Sequence, residues 1–217
     1  MVRSNRRPAV CILDDVEKIR LIADLERSEI LRLLDERSMT ETQLSELLNL
    51  TPASIGYHLN LLMEAGLIEM VKTEAEEHGI LQKYYSPIAA LFIPEFDHIP
   101  EESKKFFIEM QMQYLRGVVT ALHLHEKEGS RLELSSEIME KLSVQILKEI
   151  ADIGKKYEKW ETSDDRERVF LKIYSGALVN AIRKADMKNL PPHMVRPLST
   201  LSRQFWSQSR QRETKPK

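Results

Sequence analysis

The sequence predicts a mainly α-helical fold with one small β-hairpin and a separate helical region behind it. Three observations carry this. Two helix signatures lie about three residues apart between 40 and 66. An alternating stretch with a glycine-marked return follows between 67 and 87. From residue 101 onward, apolar residues recur at steps of three and four through three long segments. The first two together read helix, short turn, helix, strand, tip, strand. That is the order of a winged helix-turn-helix, whose second helix is shaped to enter a DNA major groove.

The lead-in is helical. Asp14, with Glu17 three residues on, is expected to cap a helix whose apolar side holds Val16, Ile19, Leu21 and Ile22. Asp24 is expected to cap the next helix, residues 25–36, with Ile30, Leu31, Leu33 and Leu34 on its core side.

The pair of helices begins at Thr40, where Gln43 completes a capping box and Leu44, Leu47 and Leu48 form one apolar face. Asn49 suits a left-handed helix end. Thr51 then caps the second helix, and Pro52 sits at its first position, where a missing N–H costs nothing. On a wheel of about 100° per residue, Ile55, Leu59 and Leu62 face inward. Ala53, Tyr57, Asn60 and Glu64 face outward, Ser54 and Leu61 flank them, and His58 lies on the inner border. Gly66 is expected to end the helix. The outer face near the N-terminus is small and polar, which permits close approach to bases and phosphates. Thr51, Ser54, Tyr57, His58 and Asn60 are therefore the candidate DNA contacts of this helix.

The hairpin is expected to run over 67–73 and 80–85, with a tip at 74–79. Lys72 and Lys83 would sit across it and reach phosphate, or else remain solvated strand residues.

The runs SEILRLL, MTETQLSELLNLTPASIGYHLNLLMEAGLIEMVKTE and ILQKYYSP together resemble the arsenic-repressor (ArsR) type of winged-helix regulator, and are most similar to archaeal members with a helical C-terminal extension. The positions that carry the likeness are Ile30, Leu31, Leu44, Leu47, Ser54, Ile55, His58, Leu59, Leu62, the Gly66-Leu67-Ile68 continuation, and Lys83-Tyr84-Tyr85. It covers residues 14–87, about a third of the chain. The resemblance implies a homodimeric transcriptional regulator of double-stranded DNA. The chain departs from the metal-sensing members, which carry paired cysteines beside the recognition helix. Leu47-Leu48-Asn49-Leu50 stands there instead, and the only cysteine is Cys11. A soft-metal thiolate site is not expected.

A second departure is electrostatic. Residues 28–87 hold four cations, Arg32, Arg37, Lys72 and Lys83, against ten anions, a net of −6. DNA affinity rests largely on cation–phosphate contacts, and the second helix has neither Lys nor Arg. Basic residues gather at the termini instead. Arg3, Arg6 and Arg7 are expected to form an N-terminal arm over residues 1–13 that reaches phosphate or the minor groove. Residues 211–217 form a basic tail.

Residues 88–100 read as a Pro-punctuated linker, with Ala89 to Phe92 a short helix or a strap against the wing. Residues 101–210 read as a helical dimerisation region with room for an unidentified effector. Its helices are expected at 101–125, 135–160 and 163–187, with a last short one around Leu198 to Trp206. Phe107, Met110, Tyr114, Val118 and Leu122 form the first stripe. Ile138, Leu142, Ile146, Ile150, Ile153, Tyr157 and Trp160 form the second. Stripes this broad must be buried against one another or a second subunit. The expected dimerisation residues are Phe107, Met110, Tyr114, Val118, Leu122, Ile146, Ile150 and Ile153. A bundle closed within one chain fits the same pattern.

The composition sets limits. The chain has 217 residues, a net charge of −2 and one cysteine, which leaves no bulk polybasic signature and no internal disulfide. No apolar run approaches the roughly 20 residues of a membrane span, and Ala9 to Leu13 is too short for a signal-peptide core, so the expected location is the cytoplasm. The seven glycines form no dinucleotide or phosphate loop. His123 and His125, two apart on a helix, cannot jointly chelate a metal. No enzyme, cofactor or metal site is expected. The favoured reading is a sequence-specific regulator binding an inverted-repeat operator as a homodimer. A winged helix that binds protein without specific DNA recognition, or a small-molecule-binding helical protein, would fit the same residues.

Overall fold

A computed structural model describes residues 7–75, 81–123, 134–162 and 166–184. The chain divides into two compact units, residues 1–103 with 155–166, and residues 104–154 with 167–217. It is mainly helical, with a small antiparallel hairpin after the helix-turn-helix.

The first unit begins with β1 (Arg7–Pro8) and β2 (Val10–Leu13). Four helices follow: α1 (Val16–Ile22), α2 (Leu25–Glu36), α3 (Glu41–Leu48) and α4 (Pro52–Glu64). Then come β3 (Ile68–Ala75), β4 (Leu81–Pro87) and β5 (Leu91–Pro94). Ile19, Ile30, Leu34, Leu44, Ile55, Leu59, Leu62 and Leu67 are all fully buried in its core.

The helix ends follow the local chemistry. The Asp24 carboxylate accepts from Arg27 N at 3.0 Å. The capping box on α3 is closed in both directions: Gln43 N donates to Thr40 Oγ1 at 3.3 Å, and Thr40 N donates to Gln43 Oε1 at 3.1 Å. Asn49 takes the left-handed conformation, φ 54° and ψ 39°. Thr51 Oγ1 accepts from Ser54 N at 3.2 Å. After α4, Gly66 has φ +67°, Leu67 N donates to Leu62 O at 2.9 Å, and Gly66 N donates to Met63 O at 2.9 Å. Those two bonds satisfy carbonyls the helix would otherwise leave open. One cap differs from expectation: Asp15, not Asp14, caps α1 and accepts from Glu17 N at 2.8 Å.

The wing is antiparallel β3–β4, tied to the loop before α3 by a bridge in which Tyr85 N donates to Met39 O at 2.9 Å and Met39 N donates to Tyr85 O at 3.3 Å.

Three stretches depart from the sequence reading. Of the arm expected over residues 1–13, residues 7–8 and 10–13 are strands. Residues 91–94, expected as linker helix or strap, form β5 and pair in parallel with β2, Val10 facing Leu91 and Leu13 facing Pro94. Each short apolar run supplies the other's hydrogen-bond partner, and neither alone shows a clear period. The helix expected to reach Trp160 stops at Gly154; residues 155–162 return to the first unit as a turn and β6 (Glu161–Thr162), which pairs antiparallel with β1. Ala9 N donates to Trp160 O at 2.7 Å there.

The second unit contains most of α5 (Glu101–His123), α6 (Ser136–Gly154) and α7 (Arg166–Lys184). Leu115, Leu142, Ile146, Tyr174, Ala177, Leu178, Ala181 and Ile182 form its core, with Val118, Ile150 and Ile153 packed against it. The helices approach closely: a Cβ on Gly176 would stand 3.1 Å from Ile153 Cδ1. Buried in the same unit, Glu149 accepts from Lys184 Nζ at 2.5 Å, Gln145 Nε2 at 2.9 Å and Asn180 Nδ2 at 3.1 Å. Burial raises its carboxyl, but these three donors outweigh burial and hold it below the ordinary range.

Of the stripe expected at a dimer interface, Ile146 is buried within the chain, and Ile150 and Ile153 are partly buried against its core. Phe107 is also buried in the single chain, whereas Met110 and Tyr114 are 39% and 51% exposed. Leu122's side chain, Arg3, Arg6, residues 76–80, the last expected helix and the basic tail lie outside the described residues.

Candidate nucleic-acid interface

The outer face of α4 is built by its caps and its inward anchors. Ile55, Leu59 and Leu62 fix the helix on the core, so Thr51, Ala53, Tyr57 and Asn60 are left exposed, with Ser54 and Leu61 half-buried beside them. Tyr57 is 61% exposed and projects among small neighbours. The first turn of α4 contains no acidic residue. Its open N–H groups therefore offer a partial positive charge to a phosphate.

His58 does not belong to this face. It is 6% exposed, and its Nε2 lies 2.6 Å from Glu26 Oε2. A position on the border of the wheel is decided by what packs over it, and the start of α2 covers this one. The expectation that His58 contacts DNA is corrected accordingly.

Gly56 sits where α4 meets α3. A Cβ there would stand 3.2 Å from Glu41 Oε2, so an acid lies beside the recognition helix and offsets part of the attraction of its N-terminus.

In the wing, Lys72 pairs with Tyr84 and Thr73 with Lys83. Cross-strand partners share a face and successive residues alternate. The two lysines therefore point to opposite faces rather than across from one another. Lys72 forms an ion pair with Glu74 and stands 5.0 Å from the Tyr84 ring centroid. The hydrogen bond from Lys72 holds the Glu74 carboxyl below its ordinary range. On α2, Arg32 binds Glu29 at 2.7 Å and Glu36 at 2.5 Å, which raises its guanidinium further and commits its charge locally. Arg37 and Lys83 are exposed.

Arg7 is not an arm residue. Its guanidinium forms an ion pair with Asp35, donates to Asp35 O at 3.0 Å and donates to Ser86 Oγ at 3.1 Å. The side chains of Arg7 and Asp35 are 12% and 4% exposed, so this pair ties the N-terminal strand to α2 and the wing base.

One cluster was not legible in the sequence. Asp24, Glu26 and His58 bring three donor atoms within 4.8 Å of one another. They come from two helices, and no spacing rule links them.

No curated protein matches the chain. Residues 24–70, which span α2, α3, α4 and the first turn into the wing, match the model of the family described as bacterial regulatory protein, arsR family, and this match supports a DNA-binding helix-turn-helix that regulates transcription.

Proposed function

We propose that the chain is a sequence-specific transcriptional regulator that binds an inverted-repeat operator as a homodimer. The observation that carries the reading is the outer face of α4: a small, polar N-terminal turn free of acids, with Tyr57 and Asn60 exposed behind it. Ser54, Tyr57 and Asn60 would read base edges. Thr51, the α4 N-terminus and Lys83 would meet phosphates, and Lys72 would join them only by giving up Glu74.

Pairing is assigned to α5. Met110, Gln113, Tyr114, Gly117, Val118 and Ala121 line an apolar hollow on one helix face. Two recognition helices held by a dimer would enter successive major grooves about 34 Å apart. The C-terminal helices would also be the place for an effector.

The test is selection of bound sequences from a random duplex pool at fixed salt. An enriched inverted repeat supports the reading. A second reading, a winged helix that binds protein, is favoured by the cation deficit of residues 28–87 and by the local pairing of Arg32 and Lys72. Absence of any enrichment at low salt would favour it.

A further inference from the structure

The cluster on the inner side of α4 has ligand chemistry of its own. His58 is 6% exposed, and its Nε2 is aimed at Glu26 Oε2, 2.6 Å away. Asp24 completes a set of one imidazole nitrogen and two carboxylate oxygens within 4.8 Å of one another. We propose that Asp24, Glu26 and His58 form a site for a divalent transition cation of the zinc type, which would bond the start of α2 to the buried face of the recognition helix.

The donor set selects the class of ion. Imidazole with carboxylates suits zinc and its first-row neighbours, whereas calcium and magnesium prefer all-oxygen sets. Three protein ligands leave a coordination position for water. The carboxylates have room for the role. Asp24 Oδ1 is occupied as the cap of α2, which leaves Oδ2, 3.7 Å from Arg27 Nη2. Glu26 is 49% exposed, which gives the ion a way in.

The proton balance is simple. Nε2 and Glu26 Oε2 share a proton in the contact seen here. Binding the ion through Nε2 requires the neutral ring with its proton on Nδ1. Nδ1 is buried without a hydrogen-bond partner. With the ion bound it becomes a buried N–H donor without an acceptor, a cost that the bonds from the two carboxylates to the ion must offset. Two opposing charges are present. Arg27 stands beside Asp24, and the α2 N-terminus carries a partial positive charge. Arg27 Nε donates to Leu21 O at 2.6 Å, so the guanidinium is shared between that carbonyl and Asp24, and two carboxylates stand against its one charge. The single thiol, Cys11, is not part of the cluster.

The test uses the full chain and zinc alone, by competition with a chromophoric chelator, with magnesium as control. One equivalent of zinc should bind per chain and should raise the unfolding temperature; magnesium should do neither. Cobalt in place of zinc should give ligand-field bands without a thiolate charge-transfer band. Glu26→Gln and Asp24→Asn should each weaken zinc binding at least tenfold. Both keep the fold accessible, because Glu26 is exposed and Asn is a good helix cap; circular dichroism checks this. Absence of saturable zinc binding, or unchanged affinity in the folded Glu26→Gln variant, overturns the proposal. Neither result depends on DNA binding, so the site and the regulatory reading fail separately.

Discussion

Tyr57 and Tyr174 use the same side chain in opposite ways. Tyr57 is exposed on α4, and its removal leaves the core untouched. Tyr57→Ala should weaken binding to a selected operator by about 1–3 kcal/mol, the scale of one good base contact. Titrations against the operator and a scrambled duplex check this, and equal affinities in wild type and folded variant would remove Tyr57 from the interface. Tyr174 is buried in the second unit, where its hydroxyl accepts from Gln111 Nε2 at 3.0 Å. Burial pushes its phenol up to about 12, against the smaller opposing effect of the Gln111 bond. The ordinary value is about 10. A raised folded-state value means that the neutral phenol is favoured by the fold. Its contribution is present in full below about pH 10 and is lost as pH rises through about 12. Denaturation midpoints followed from pH 9 to 12 should therefore fall less steeply in Tyr174→Phe than in wild type. Parallel curves would show that Tyr174 ionises as it does in the unfolded chain.

At the scale of elements, the end of α4 sets the direction of the wing. Gly66 holds φ +67°, and a Cβ at this position would meet nothing within 4 Å, so Gly66→Ala introduces backbone strain and no clash. It should cost about 1–2 kcal/mol, the penalty of a left-handed non-glycine residue, read as a lower midpoint in urea. A neutral result would mean that Leu67 leaves the helix by another route. This element was legible in advance, as were the capping box at Thr40, the left-handed Asn49 and the inward Ile55, Leu59 and Leu62, because each is written in neighbouring residues. The pairing of β2 with β5 and of β1 with β6 was not. Those strands are short, and their partners lie far along the chain. The exposed face of α4 was read from the helical period, but His58 on its border was not, since burial there depends on Glu26 of another helix. The stripe on α6 showed that Ile146, Ile150 and Ile153 need a partner without saying which. Its packing with α5 and α7 answers that for the folded chain. Ile146→Ala should cost about 2–4 kcal/mol through the cavity it leaves. Sedimentation should show the assembly state unchanged; dissociation at unchanged stability would return this stripe to an interface between subunits.

Across the whole molecule, the question is where a domain of net −6 finds its phosphate contacts. The described cations answer in part. Arg32 is committed to Glu29 and Glu36, Lys72 to Glu74, and Arg7 to Asp35. Arg7 therefore separates from Arg3 and Arg6 in what its loss should do. Arg7→Ala would remove the Arg7 guanidinium from the Asp35 carboxylate, which is 4% exposed. Breaking a buried pair from one side costs about 3–5 kcal/mol, so this variant should lose stability whether or not DNA is present. Removing residues 1–6 deletes Arg3 and Arg6 and leaves that pair intact. If these two arginines meet phosphates, the slope of log K against log salt should become shallower by about 0.9 for each lost contact. Affinity should then fall equally for operator and random duplex, because phosphate contacts carry little sequence information. An unchanged slope in the truncated protein would place the phosphate contacts with the α4 N-terminus, Lys83, Arg37 or the basic C-terminal residues. A loss confined to the operator would instead mean that the arginines read the minor groove.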